Sequence, residues 1–454
     1  MLKWELMKKL ILLAIIGLGI VSCAVQNTNK TMDLPKDWKH STNIYEVNVR
    51  QYTQEGTFKA FEKEMPRLKS MGVKVLWFMP ITPIAQQNKK GTLGSPYAAA
   101  DYTSINPEFG SMNDFTHMVN EAHRLGFKVI IDWVANHTGW DHVWTKTHPE
   151  FYLKDSDGKF HIASGMDDII ELDYKNQDMR KAMIDAMKFW VKETNIDGFR
   201  CDLASWVEVD FWEQARPEVE TIKPLFWLGE FDELENPEYG KIFDVSYSWK
   251  WMHTSEDYYK KNLPLQDLKD LLIKYSNVGD ASMRAWFTSN HDENSWNGTE
   301  YEKYGVITKP MAVFSATWNG VPLLYSGQEL PNMKRLEFFE KDAIKWTNNY
   351  EVSDFYKTLL DLKSSNPALC GGDSNVTTYL LNTTANDKIL AYIRKNGKDE
   401  VLVILNLSKE DVDFSIQDEN VSGIFRNVFD GTKKDFNEGK DFTFKVSDYK
   451  VFEK

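Results

Sequence analysis

Two periods of apolar residues divide this chain. Between residues 43 and 325, short and nearly continuous apolar runs alternate with stretches whose apolar residues recur every three or four positions. Asn43-Ile-Tyr-Glu-Val-Asn-Val-Arg50 alternates and is β-branched, which predicts a first strand. Phe61, Met65 and Leu68 mark one helical face over 58–71, Gly72 ends it, and 73–79 follows as an apolar strand. The same unit returns at 115–125 before 129–133, and at 179–193 before 196–202. Further strands are predicted at 226–229, 243–247, 286–289 and 322–325, eight in all. Near-continuous apolar strands separated by helices imply a parallel sheet covered on both faces. The expected fold class is therefore α/β, a (β/α)8 TIM barrel.

Two stretches break this pattern. Residues 137–173 are rich in His, Trp, Asp and Gly and lack a helical period, which predicts a small insertion after the third strand. Beyond Pro367 the period changes to two. Runs at 377–381, 389–394, 401–407, 412–416, 423–428 and 442–446 alternate, with turns such as Asn396-Gly397 and Asp430-Gly431 between them. These predict a C-terminal antiparallel β-sandwich.

The first residues differ again. Lys8-Lys9 precede an apolar run over 10–21 that is too short to span a bilayer, which takes about 20 residues as a helix. A secretory signal is the expected reading. Val21-Ser22-Cys23 resembles a bacterial lipobox, whose cysteine becomes the lipidated first residue. The expected layout is a lipoprotein signal peptide over 1–22, a polar tether over 23–40, the barrel over 41–366 and the sandwich over 367–454. The implied address is the bacterial cell envelope, with the membrane touched only through a lipid anchor on Cys23. Cys201 and Cys370 are then the remaining thiols, expected to be buried and free, with a disulfide as the alternative.

Composition narrows the partners. A formal charge of −13 over 454 residues argues against nucleic acid and anionic lipid. Sixteen tryptophans exceed what a core of this size asks for. Trp140, Trp144, Trp206, Trp249 and Trp296 are candidate sugar platforms, and packing is the competing use for each.

The candidate chemistry sits where the apolar runs end. Gly198-Phe-Arg-Cys-Asp202 carries an arginine and a carboxylate two apart, hence on one face of a strand. A neighbouring guanidinium favours the ionised carboxylate, which suits a nucleophile. Asp132-Trp-Val-Ala-Asn-His137, Phe226-Trp-Leu-Gly-Glu230 and Ser289-Asn-His-Asp292 likewise end apolar runs in polar residues. Barrel enzymes place their chemistry at such strand ends.

These segments, in this order, resemble the signature regions of the α-amylase family of glycoside hydrolases, family 13. Ser95-Pro-Tyr97, Asp101-Tyr102 and Gly320-Val-Pro-Leu-Leu-Tyr-Ser-Gly-Gln-Glu329 add to the likeness, which runs from about residue 44 to the last residue. The resemblance implies a retaining hydrolase of α-1,4-glucosidic bonds in starch-type glucans or maltooligosaccharides. An exo-acting, cyclodextrin- or α-1,6-acting hydrolase or a glucanotransferase is the alternative. By the same resemblance Asp202 would be the nucleophile, Glu230 the general acid/base and Asp292 a ligand of the flattening sugar. Arg200 would keep Asp202 ionised and Asp132 would support Arg200. His137 and His291 would hydrogen-bond the sugar, and Tyr97 would stack on it. Asn136 matches a position that holds structural calcium in many members, although the short insertion offers no matching ligand set. No organic cofactor is expected. The chemistry asks for the same types, since acetal cleavage needs an acid and a trapping carboxylate. Phe226, Trp227 and Asp292 are the expected causes of a raised Glu230 pKa. Two departures stand out: Ile170-Glu-Leu-Asp173 replaces a motif usually ending in Leu-Asn, and Leu203-Ala204 replaces the Lys-His of typical α-amylases.

Overall fold

The computed structural model describes residues 38–278, 282–347 and 350–454. The predicted leader, Cys23 and most of the tether lie outside the described residues. Packed structure begins at Trp38, before the predicted domain start, with a short 3-10 helix Trp38–Ser41. Lys39 pairs with Asp244 at 2.8 Å and Trp38 packs on Phe226, so residues 38–40 belong to the barrel rather than to the tether.

Among the described residues ten strands precede the C-terminal domain: β1 (Ile44–Val47), β2 (Val75–Phe78), β3 (Lys128–Val134), β4 (His137–Gly139), β5 (Ile169–Glu171), β6 (Gly198–Asp202), β7 (Phe226–Asp232), β8 (Val245–Tyr247), β9 (Met283–Trp286) and β10 (Val321–Tyr325). Eight of them close a barrel in the order β1-β10-β9-β8-β7-β6-β3-β2, with every pair parallel. Alternation sorts each strand into two faces. Ile44, Val75, Trp77, Ile130, Phe226 and Leu228 fill the interior. Val129, Ile131, Trp133, Phe199, Cys201 and Trp227 point outward against the helices.

Boundaries shift where tertiary contacts override local pattern. The first strand stops at Val47, because the Ser326 hydroxyl takes the Asn48 N–H and the chain turns into the helix Val49–Tyr52. The helix predicted over 58–71 is two, Phe58–Glu62 and Met65–Met71, with Pro66 at the start of the second. Proline lacks the N–H that a continuous helix needs there. The predicted strand 286–289 lies earlier, at Met283–Trp286.

The insertion after β3 is the antiparallel pair β4–β5, with a short helix Val143–Thr147 between them. The C-terminal domain holds β11 (Thr377–Leu380), β12 (Ile389–Asn396), β13 (Asp399–Asn406), β14 (Val412–Ser415), β15 (Ile424–Asn427), β16 (Lys433–Asp435), β17 (Asp441–Phe444) and β18 (Tyr449–Glu453). Six form the antiparallel sheet β11-β12-β13-β18-β15-β16, and β14–β17 face it as a second sheet. Ala391, Ile393, Leu402 and Ile404 pack between the sheets. Their alternates Leu390, Tyr392, Val403 and Leu405 pack on the barrel helices instead. Two strands were not expected. β16 reads Lys-Lys-Asp without an apolar position, and β18 closes the chain as a central strand between β13 and β15.

Among the described residues no helix is long and apolar enough to cross a membrane. Cys201 is a buried free thiol, whereas Cys370, expected to be buried, is half-buried.

Gly198 pairs with Phe226 so closely that a Cβ at this position would collide with the Phe226 carbonyl and backbone nitrogen. The strand that carries Arg200 and Asp202 therefore tolerates only glycine there. Gly198→Ala is expected to destabilise the protein by about 1–3 kcal/mol or more, as overpacking does. A lowered denaturant midpoint at unchanged slope is the check.

Candidate active site

The parallel register sets Asp132 beside Arg200 and Val134 beside Asp202. β6 and β7 in turn pair Arg200 with Leu228 and Cys201 with Gly229, which brings Glu230 to the same rim. Arg200, Asp202, Asp132 and Glu230 thus meet at the carboxyl ends of three adjacent strands.

Arg200 is wholly buried. Its Nη1 donates to Asp132 Oδ1 at 3.0 Å and to Asp202 Oδ1 at 2.8 Å. Its Nη2 lies 2.7 Å from Glu230 Oε2, an ion pair out of line for a hydrogen bond. The rings of Trp77, Tyr247 and Tyr97 surround the guanidinium carbon at 5.0, 5.5 and 5.9 Å. Such cation–π contacts supply part of the solvation that burial removes.

One cation facing three carboxylates cannot hold them all low. Burial raises Glu230 to about 7, with Arg200 opposing and the charges of Asp202 and Asp292 adding. Burial also raises Asp202 above its ordinary value, against Arg200 and with Asp132 and Asp292. The expectation that Arg200 alone keeps Asp202 low is corrected here, because desolvation outweighs the guanidinium. Of the two, Asp202 alone accepts an in-line hydrogen bond from Arg200, which favours its ionised form. The surround of Glu230 also differs from expectation. Trp227 points outward and its indole donates to Glu220 at 2.9 Å, so it plays no part in raising Glu230.

Leu203 gives Glu230 its other contact, donating its N–H to Oε2 at 2.8 Å. To do so it adopts a left-handed backbone, φ +42°. That conformation costs a non-glycine residue about 1–2 kcal/mol, and strain of this kind gathers at functional sites.

His291 and Asp292 come from the loop after β9. His291 Nδ1 sits 2.5 Å from Glu46 Oε1, and its Nε2 lies 2.7 Å from the Tyr97 hydroxyl and 3.3 Å from Asp292 Oδ2. Burial opposes its charge, but Asp292 and Glu46 prevail and raise it to about 9. The site therefore holds a second cation, an imidazolium. Tyr97 also donates to Asp132 at 3.1 Å, and its ring stacks on His291 at 5.2 Å. His137 is the opposite case. Burial lowers it to about 4, so it is neutral, and its Nε2 is buried without a protein partner.

Asn136 spends its amide on His137 Nδ1 at 3.2 Å. Among the described residues no group of three His, Cys, Asp or Glu gathers to hold a metal. A hard cation takes roughly 6–8 oxygens, of which Asn136 could offer its Oδ1, since only its amide nitrogen is spent on His137. Through that contact Asn136 orients His137.

The structure brings together Asp202, Glu230, Asp292, Tyr97, His137 and His291 in one cleft of about 540 Å³. Arg200 and Asp132 lie beneath its floor. Of the candidate platforms, Trp206 and Trp296 line the cleft and are 46% and 51% exposed. Trp140, Trp144 and Trp249 pack against Phe160, Tyr102 and Tyr247 respectively. Sequence reading missed Glu46, Trp77 and Tyr247. Glu46 had a signal: it follows Ile44 by two residues on an apolar strand, which turns a lone acid inward.

Comparison with known proteins agrees with this geometry. The alpha amylase catalytic domain matches residues 26–159 and 149–368, and the maltogenic amylase C-terminal domain matches 380–452. Alpha-amylase 2 of Dictyoglomus thermophilum is 22% identical over 87% of this chain and 73% of its own length. The maltogenic alpha-amylase of Bacillus acidopullulyticus is 23% identical over 88% and 70%. The crystal structure of the maltogenic alpha-amylase AmyB of Thermotoga neapolitana superposes with a TM-score of 0.83 at 28% identity, covering 91% of this chain and 98% of that one. With its catalytic-domain match spanning most of the barrel and its fold shared over 91% of its length, the chain belongs to the alpha-amylase family of glycoside hydrolases.

Proposed function

We propose that this protein hydrolyses α-1,4-glucosidic bonds of starch-type glucans or maltooligosaccharides with retention, through a covalent glycosyl-enzyme intermediate. The observation that carries the reading is the shared guanidinium. Arg200 holds the carboxyls of Asp202 and Glu230, from neighbouring strands, at the floor of one cleft. The relatives' names, alpha-amylase and maltogenic alpha-amylase, support the substrate class.

The steps follow from the environments. Glu230, held protonated near neutrality, gives its proton to the glycosidic oxygen as the bond to the anomeric carbon breaks. Asp202, ionised, attacks that carbon and forms an ester. Water then attacks the ester, Glu230 takes its proton, and the product leaves with its original configuration. Asp292, half exposed at the rim, binds sugar hydroxyls more tightly as the ring flattens. The Nε2 of neutral His137, buried without a protein partner, meets a sugar hydroxyl. Both nitrogens of His291 are instead held by Glu46 and Tyr97, so its imidazolium acts through its charge and through the Tyr97 and Asp292 it positions. Tyr97, fixed from behind by Asp132 and His291, offers its ring to the same sugar.

The leader supports a second reading, that the mature chain is anchored in the bacterial envelope through lipid on Cys23. It rests on Lys8-Lys9, the apolar run over 10–21 and Val21-Ser22-Cys23.

Asp202→Asn is expected to abolish turnover of maltooligosaccharides. Glu230→Gln should lower kcat by about 10²–10⁴, the usual contribution of a general acid. Proton NMR of the first product formed should show the α-anomer; a β-anomer would refute retention. The pH profile of kcat/KM should be bell-shaped. Activity falls at low pH as Asp202 gains a proton and falls above about pH 7 as Glu230 loses one, the limbs belonging to the coupled pair. Asp292→Asn removes a charge that raises Glu230, so the alkaline limb should move to lower pH. Cys23→Ser should shift the full-length protein from the detergent-soluble membrane fraction to the aqueous one.

A further inference from the structure

The loop between β2 and Tyr97 joins two other parts of the cleft wall. On one side it is tied to the insertion. Gln86 and Gln87 donate their backbone N–H groups to the Asp141 carboxylate at 3.1 and 3.3 Å. Lys90 Nζ pairs with Asp168 at 2.9 Å and with Asp167 at 3.1 Å. On the other side it is tied to the loop after β10. Thr92 N–H donates to Glu340 at 2.6 Å and Leu93 N–H to the Phe339 carbonyl at 3.1 Å. Gly91 makes this approach with φ +62°, and a Cβ there would stand 2.5 Å from Phe339 Cβ. Lys90, Met166, Asp168, Phe338 and Phe339 all line the cleft. Asp168 is buried although it sits on the insertion, and the Lys90 ammonium is what neutralises it.

The wall so formed is continuous from the insertion, through residues 86–93, to residues 339–340. Leu203 and Trp206 line the same cleft, and the role of Glu230 assigns the leaving-group side to them. Glu230, which protonates the leaving oxygen, contacts Leu203, and Leu203 leads to the exposed Trp206. Resting on the hydrolase reading above, we propose that the Lys90–Asp168 bridge closes the non-reducing side of the cleft. The enzyme then takes a glucan by its non-reducing end and releases short products. A chain threaded through its middle would have to pass where three loops are bonded to one another. Lys90 and Asp168 are positioning and specificity residues in this scheme, since they act by holding the wall.

Nitrophenyl maltoheptaoside tests this in two forms, one free at the non-reducing end and one capped there by a 4,6-ethylidene group. The purified enzyme is expected to cleave the capped form about tenfold or more slowly, the scale on which a closed pocket rejects excess bulk. Lys90→Ala and Asp168→Asn should both bring the two rates together and lengthen the oligosaccharides released from amylose, as chromatography would show. Equal rates on both forms with wild-type protein would overturn the closed wall. Discrimination that persists in both variants would overturn the assignment of the wall to this bridge. No cleavage of the uncapped form at all would instead overturn the hydrolase reading beneath it.

Discussion

A guanidinium with no access to solvent is the constraint on which this site is built. Burying a charge is costly unless it is paired, and Arg200 is paired with carboxylates from its own strand and from both neighbouring strands. The pairing runs both ways. Without Arg200 three acids would crowd a dry floor, and their mutual repulsion would protonate or displace them. Without the acids, Arg200 would be an uncompensated charge in a barrel of Ile, Val, Phe and Leu. The aromatic rings around it close the remaining directions. Structure and chemistry are therefore not separable here: the contact that keeps the barrel mouth packed also sets the acids against each other.

From that contact the roles divide. Desolvation lifts both Asp202 and Glu230, and of the two only Asp202 has the guanidinium in line with its carboxylate. The same logic acts on the two histidines with opposite results. His137 has no acid against it and stays neutral, while His291 lies between Glu46 and Asp292 and takes a proton. Two imidazoles in one cleft thus end in opposite charge states, and burial is common to both. The rim adds shape. Leu203 accepts a strained backbone to aim its N–H at Glu230, and the loop 86–93 bonds to both of its neighbours across the cleft mouth.

Much of this was legible in the chain. The helix-then-apolar-strand repeat gave the barrel, and the change to period two gave the C-terminal sheets. Arg200 and Asp202 were placed on one face by spacing alone. What failed did so for identifiable reasons. The strand at 43–50 stops early because Ser326, far along the chain, takes the next N–H. β16 was invisible because an edge strand of Lys and Asp carries no apolar alternation. Trp206 and Trp296 could not be told from Trp140, Trp144 and Trp249, since exposure depends on what packs against each ring.

The sequence by itself determined which residues could do acid–base chemistry and on which strand ends they would stand, because the periods of strand and helix are local properties of the chain. The tertiary structure alone decided the rest. Glu46 meets His291, Arg200 reaches Glu230, and Lys90 reaches Asp168 only when distant segments close on one another. Protonation is decided there too, since desolvation and Coulomb terms depend on distance and burial, and neither is a property of a residue's place in the chain.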